Sequence, residues 1–147
     1  IIETSAEYMD SRIITLSNAE GCEIVRRIID ESGISYFKSD DHNACMEIFK
    51  TISELRMNCI GPDSLSLDSR RINTLGAIFQ AYESKLSDSK LYDSAKLISI
   101  ASGLIKAGKA DVSNVHFAYD KEIEADKLTA EYIGLLSDPA VSSIRMV

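Results

Sequence analysis

The sequence predicts a mainly α-helical, bundle-like domain with a minor β component, and three observations carry that prediction. Apolar residues recur at helical spacing in several separate stretches. Polar capping residues, glycine or proline stand at the ends of these stretches, where helices start and stop. The length of 147 residues, with 45% hydrophobic and 27% charged residues, is typical of one globular domain. We therefore expect a single domain over residues 1–147.

The first predicted elements are a short strand and a helix. The β-branched run of residues 12–17 predicts the strand. Ser17-Asn-Ala-Glu20 is a capping box, in which the Ser17 hydroxyl accepts from the Glu20 amide and the Glu20 carboxylate reaches back. Gly33 is the expected residue just beyond the helix end. The next apolar run, Ile34–Phe37, is interpreted either as another strand or as the anchor of a loop.

Two longer helices follow, separated by the helix-breaking pair Gly61-Pro62. A single turn that carries Leu65 and Leu67 into the core is expected directly after this break. The inner face of the second helix is predicted to comprise Cys45, Ile48, Phe49, Ile52 and Leu55. The third helix is expected to be capped by Asp68 or Ser69. Its predicted apolar face comprises Leu75, Ile78, Phe79, Tyr82 and Leu86.

The last third of the chain predicts two more helices and a second strand. Asp93 precedes the fourth helix and is expected to accept hydrogen bonds from its first amide groups. Gly108 is expected to end that helix. Residues 114–119 alternate with aromatic enrichment, which predicts the strand. Asp120 is expected to cap the last helix, whose apolar stripe comprises Ala125, Leu128, Tyr132, Leu135 and Leu136.

The net charge of −7 argues against a general nucleic-acid binder, but the charge is uneven. Residues 1–49 carry −6, residues 50–109 carry +3 and residues 110–147 carry −4. The middle segment is therefore the place where a phosphate backbone would bind, unless its charges simply form a solvated face. The candidate DNA-binding residues are Arg70, Arg71, Lys85, Lys90 and Lys96.

Arg70 and Arg71 are the most informative of these candidates. They begin the third helix, where positive charge opposes the helix dipole. A partner carboxylate, a loop carbonyl or a phosphate would resolve this conflict. A local ion pair with Asp68 or Asp63 is the structural alternative to DNA binding.

Motifs of catalytic and metal sites are missing from the sequence. There is no GxxxxGK[ST] phosphate loop, no HExxH and no GxSxG elbow, and the two histidines are far apart. We therefore predict no catalytic residue, no metal site and no cofactor in this chain. The three cysteines have no metal-clamp spacing and indicate reduced thiols in a cytoplasmic protein. No apolar run approaches the ~20 residues of a membrane span, so no membrane association is expected.

Two stretches carry a resemblance to a known family. The pattern Tyr82-x3-Leu86, then Leu91-Tyr-Asp-Ser-Ala-Lys-Leu97-x3-Ala101, resembles the helical subdomain inserted in the first motor domain of UvrD/RecB-type helicases. Upstream, Phe49-Lys-Thr-Ile-Ser-Glu-Leu-Arg56 and Ile60-Gly-Pro-Asp-Ser-Leu65 resemble more particularly the B subunit of AddAB/RexAB-type helicase–nucleases. The resemblance covers roughly residues 44–136 and includes no catalytic motif.

The resemblance implies a fragment of a larger ATP-dependent exonuclease or helicase that acts in DNA repair and recombination. The fragment would be the non-catalytic helical subdomain, which would contact double-stranded DNA or the helicase–nuclease partner subunit. Two alternatives stay open. One is an unrelated helical domain that binds another protein through an exposed apolar groove, and the other is a small enzyme whose site has no familiar motif.

Overall fold

The computed structural model describes residue 2, residues 13–65, 69–110, 112 and 124–137. In this described part the chain is mainly helical, with two short strands, which confirms the predicted fold class. The elements are β1 (Ile14–Thr15), α1 (Asn18–Ser32), α2 (His42–Met57), a 3-10 turn (Pro62–Leu65), α3 (Arg70–Asp88), β2 (Leu91–Tyr92), α4 (Ser94–Lys106) and α5 (Lys127–Leu136). No helix within these ranges combines the length and apolarity that crossing a bilayer requires.

The chain divides into two compact units. The first is Ile13–Asp93, and the described part of the second consists mainly of α4 and α5. The two units are defined by contacts within the backbone, which do not test whether the chain folds as one domain. The expected single domain over residues 1–147 therefore stays a prediction. The predicted strand at residues 114–119 lies outside the described residues.

Helices α1, α2 and α3 enclose the core of the first unit. Helix α1 packs against both α2 and α3, and the 3-10 turn packs against α3. The predicted inner faces of α2 and α3 are confirmed, although Leu55 and Leu75 are only half-buried at the edge of the core. The buried core residues are Cys22, Val25, Ile28, Ile29, Cys45, Ile48, Phe49, Ile52, Ile78, Phe79, Tyr82 and Leu86.

The ends of α1 match the sequence prediction. Ser17 is the N-cap residue, and both hydrogen bonds of the capping box with Glu20 are present. Gly33 follows the helix with φ 64°, a left-handed conformation that favours glycine. The run Ile34–Phe37 is a loop rather than a strand.

The first unit also contains a two-stranded parallel sheet, formed by β1 and β2. Ile14 pairs with Leu91 and Thr15 pairs with Tyr92. Strand β1 lies inside the predicted range 12–17 but is only two residues long. Strand β2 was not predicted, because two residues directly before a helix carry too little pattern to indicate a strand.

In the second unit α4 packs against α5. Ile105, Val112 and Leu136 form its small core, and Lys106 forms an ion pair with Glu131. The prediction that Asp120 caps the last helix was wrong, because the N-cap residue is Asp126. The helix begins at Lys127, and the side chain of Asp126 accepts a hydrogen bond from the amide of Thr129 at 2.8 Å.

Close contact between α1 and α2 depends on Gly21. A Cβ atom at this position would lie 2.2 Å from Cε2 of Phe49, whose ring covers the glycine. We expect Gly21→Ala to lower the free energy of unfolding by about 1–2 kcal/mol. Overpacking costs about 1–3 kcal/mol, and the helix preference of alanine offsets up to about 1 kcal/mol of that loss.

The matched control for this substitution is Gly103→Ala in α4. A Cβ at Gly103 meets nothing within 4 Å, so only the helix preference changes. This variant should gain about 0.5–1 kcal/mol. Urea unfolding followed by circular dichroism measures both changes, and a Gly21→Ala protein as stable as the Gly103→Ala protein would contradict the close packing of Phe49.

Candidate nucleic-acid interface

The arginines of α1 are neutralised by carboxylates on the same helix. Arg26 donates from Nε and Nη2 to Glu23, both at 2.7 Å, and from Nη1 to Asp30 at 3.1 Å. Arg27 donates to Glu23 at 3.0 Å. These hydrogen bonds lower the pKa of Glu23 from 4.5 to about 2. The α1 arginines are thus paired with carboxylates of their own helix and present no unbalanced positive charge.

Arg56 is neutralised by two carboxylates of other elements. Its Nε and Nη2 donate to the Asp93 carboxylate at 2.7 and 3.2 Å, and its Nη1 donates to Glu83 at 2.6 Å. The guanidinium also lies 5.9 Å from the ring centroid of Tyr82. The Arg56 and Asp93 side chains are only 12% and 11% exposed. This buried cluster joins α2, α3 and the end of β2, which is a structural role.

Sequence reasoning missed this cluster. Asp93 directly precedes α4, the position predicted for its cap, and its carboxylate accepts two hydrogen bonds from Arg56. Arg56 and Asp93 are far apart in the sequence, and no local pattern predicts that they meet. The only available signal was a lone arginine next to the apolar face of α2.

Arg70 and Arg71 differ from the other described arginines, because neither forms an ion pair with a residue that the structure describes. The expected pair with Asp63 is not formed, and Asp68 lies outside the described residues. Ser69 occupies the N-cap position of α3 but makes no side-chain capping hydrogen bond, and the first turn has no acidic residue. Both guanidinium groups are exposed and add to the positive end of the helix dipole.

An exposed aromatic ring lies beside Arg70. The Arg70 guanidinium carbon is 5.8 Å from the ring centroid of Tyr36, a cation–π distance. Tyr36 is 45% exposed, and its ring meets Phe37 edge to face with a centroid separation of 5.0 Å. The turn at Gly33 directs the chain from α1 to this place. Sequence reasoning did not single out Tyr36, although two adjacent aromatic residues between polar segments were a visible signal.

Two cavities flank the loop that carries Tyr36. The larger has a volume of about 640 Å³, and the smaller has a volume of about 360 Å³ and contains Arg71. The larger is lined by Ser32, Gly33, Ile34, Ser35, Tyr36, Arg70, Asn73, Thr74 and Ala77. The smaller is lined by Phe37, Ala44, Glu47, Ile48, Thr51, Arg71, Ile72 and Leu75. The one carboxylate in these two walls, Glu47, forms an ion pair with Lys50 at 3.1 Å.

Of the four candidate residues in the first unit, Arg70 and Arg71 lie side by side at the start of α3, whereas Lys85 and Lys90 lie near its other end. Lys85 is on the same helix but about 22 Å further along its axis, at about 1.5 Å per residue. Lys90 follows the end of α3 and is exposed like Lys85. Lys96 is half-buried on α4, in the second unit. We call the surface formed by Tyr36, Arg70 and Arg71 the arginine–tyrosine patch.

The buried thiols show no sign of activation. The Sγ atom of Cys22 lies 4.0 Å from Nδ1 of His42, and the Sγ atom of Cys45 lies 3.7 Å from the carbonyl oxygen of Ser39. Burial raises the pKa of both thiols, which disfavours the nucleophilic thiolate. Within the described ranges no group of three or more His, Cys, Asp or Glu side chains is arranged to hold a metal ion.

A scan of the sequence against protein-family models matches none of them, and a search of curated proteins finds no significant match. The resemblance to the AddAB/RexAB-type B subunit therefore stays a prediction.

Proposed function

We propose that this chain is a non-catalytic helical segment of a cytoplasmic DNA-repair helicase–nuclease subunit of the AddB type. In this proposal it acts as a scaffold and contacts duplex DNA through the start of α3. The partner subunit of the same enzyme is its other expected contact. The family assignment rests on the sequence resemblance, and the DNA contact rests on one observation, the unneutralised pair Arg70 and Arg71.

The contrast among the arginines supports this contact. The guanidinium groups of Arg26, Arg27 and Arg56 are each bound to carboxylates. The two at the start of α3 are exposed and have no carboxylate partner in the described part of the chain. Guanidinium groups bind phosphate oxygens with paired hydrogen bonds. Adjacent positive side chains at a helix start therefore suit a phosphate backbone, even though the chain as a whole carries −7.

The test compares two arginine pairs that carry the same formal charge. Binding of the 147-residue chain to a labelled DNA duplex is measured by fluorescence anisotropy over a series of salt concentrations. Arg70→Gln/Arg71→Gln should weaken binding at low salt and lower the slope of log affinity against log salt by about 2, since each phosphate contact contributes about 0.9. Arg26→Gln/Arg27→Gln is the control, because its guanidinium groups are already neutralised.

The outcomes separate a specific contact from a general charge effect. Unchanged binding of the control variant together with weakened binding of the Arg70/Arg71 variant supports the proposal. Equal losses in both variants would contradict it, because they would show that only the net charge matters. Unchanged salt dependence in the Arg70/Arg71 variant would also contradict it.

A second candidate function is binding of another protein. The smaller cavity favours it, because apolar groups of Phe37, Ile48, Ile72 and Leu75 line the cavity at the surface of the first unit. An apolar partner would bind with little dependence on salt, whereas phosphate binding weakens steeply as salt rises. The same salt series therefore distinguishes the two functions.

A further inference from the structure

We propose that the Tyr36 ring stacks against an unpaired nucleotide base, while Arg70 and Arg71 bind the flanking phosphates. The inference rests on the proposed function and names the form of the nucleic acid at this surface. The patch would then bind a single strand, or the single-stranded side of a junction with a duplex. This preference goes beyond a general contact with duplex DNA.

The geometry of Tyr36 supports stacking. The Arg70 guanidinium lies over the ring at 5.8 Å, and the ring of Phe37 meets it edge to face with 78° between the planes. These two neighbours hold the ring in place, yet 45% of the residue stays exposed. A ring held in this way on a protein surface offers an apolar, planar face at little further loss of side-chain freedom.

The adjoining cavity has the size and the polarity for a nucleotide. It is a depression of about 640 Å³ that is open to solvent, the form expected where a nucleotide strand lies along a surface. Asn73 and Thr74 of α3 line it. The Asn73 amide can hydrogen-bond to base edges, and the Thr74 hydroxyl, which donates to the Arg70 carbonyl oxygen at 2.7 Å, can still accept a hydrogen bond. The cavity therefore combines an aromatic ring, uncharged polar groups and a guanidinium group.

An unpaired base is the ligand that fits this combination of groups. In a duplex both faces of each base are covered by neighbouring bases, so an exposed tyrosine ring cannot reach them. Proteins that bind single strands place aromatic side chains under successive bases and positive side chains along the backbone. Tyr36 with Arg70 and Arg71 provides both parts within one surface.

The test uses the whole 147-residue chain and a short single-stranded oligonucleotide that contains the fluorescent base 2-aminopurine. Tyr36→Leu removes the aromatic ring and keeps an apolar side chain of similar size. We expect it to bind the oligonucleotide between about 5-fold and 150-fold more weakly, the range of base–aromatic stacking. Tyr36→Phe keeps the ring and should retain binding and the quenching of 2-aminopurine fluorescence. Circular dichroism confirms that both variants are folded.

Comparison with Arg70→Gln/Arg71→Gln separates failure of this inference from failure of the proposed function. Weaker binding of the Tyr36→Leu and Arg70/Arg71 variants, with normal binding of Tyr36→Phe, supports stacking. Unchanged binding of Tyr36→Leu with weaker binding of the Arg70/Arg71 variant overturns stacking and leaves the phosphate contact standing. If all these variants bind the single strand and the duplex as the parent chain does, both proposals are overturned.

Discussion

Replacing Arg56 with alanine is expected to lower the free energy of unfolding by about 3–5 kcal/mol. The guanidinium donates three hydrogen bonds, two to Asp93 and one to Glu83. Without it the Asp93 carboxylate, whose side chain is only 11% exposed, keeps its charge in a buried place without its main partner. Most of the lost stability therefore comes from the unpaired charge of the buried Asp93 carboxylate. The lost attraction between Arg56 and the two carboxylates contributes less.

Chemical unfolding in urea measures this loss, and Arg27→Ala is the matched control. The Arg27 guanidinium is also bound to a carboxylate, but its side chain is 62% exposed, so its loss should cost less than about 1 kcal/mol. Adding Asp93→Asn to Arg56→Ala removes the stranded charge and should recover part of the stability. A loss below about 1 kcal/mol for Arg56→Ala would contradict the buried cluster.

Replacing Tyr82 with alanine should cost about 3–5 kcal/mol, the range for truncation of large core aromatics. Tyr82 is 0% exposed, as its position on the apolar face of α3 predicts, and its ring lies 6.2 Å from that of Phe49. Its hydroxyl is buried beside the Asp93 carboxylate, without a hydrogen bond of standard geometry in the described part of the chain. Burial and the nearby Asp93 carboxylate raise the pKa of this hydroxyl.

The Tyr82→Phe variant separates the ring from the hydroxyl. It keeps the aromatic packing and removes a buried hydroxyl that lacks a hydrogen bond of standard geometry, so its stability should lie within about 1 kcal/mol of the parent chain or above it. Thermal and urea unfolding of the alanine and phenylalanine variants measure both contributions. Similar large losses in both variants would show that the hydroxyl, rather than the ring, stabilises the core.

The helices and their caps were predictable because their signals are local. The Ser17–Glu20 capping box and the left-handed Gly33 depend on residues within one turn of the helix end. The apolar faces of α2 and α3 follow from a repeat of about 3.6 residues. The break at Gly61-Pro62 and the short turn after it likewise depend on neighbouring residues.

Other features depend on contacts between distant residues. The parallel pairing of Ile14 with Leu91 joins segments that three helices separate. The cap of α5 was misplaced because several acidic residues precede that helix, and the sequence alone does not decide which of them is at the N-cap position. Arg56 and Asp93 meet only once α2 and β2 are packed.

The candidate site was predicted in part. The unusual position of Arg70 and Arg71 at a helix start was visible in the sequence, because a cap and a helix period defined the start of α3. The nearness of Tyr36 was not, because a loop places its ring beside Arg70. Lys85 and Lys90 were candidates only because they lie in the positively charged segment 50–109, and the length of α3 separates them from the patch.

We propose that the arginine–tyrosine patch is the nucleic-acid contact of this chain. The most direct measurement is an NMR titration of the isotope-labelled chain with a DNA duplex that carries a single-stranded overhang. We expect the largest amide shift changes in residues 32–37 and 70–77, with the changes disappearing at high salt. Largest changes in α4 and α5, or no changes at low salt, would contradict the claim.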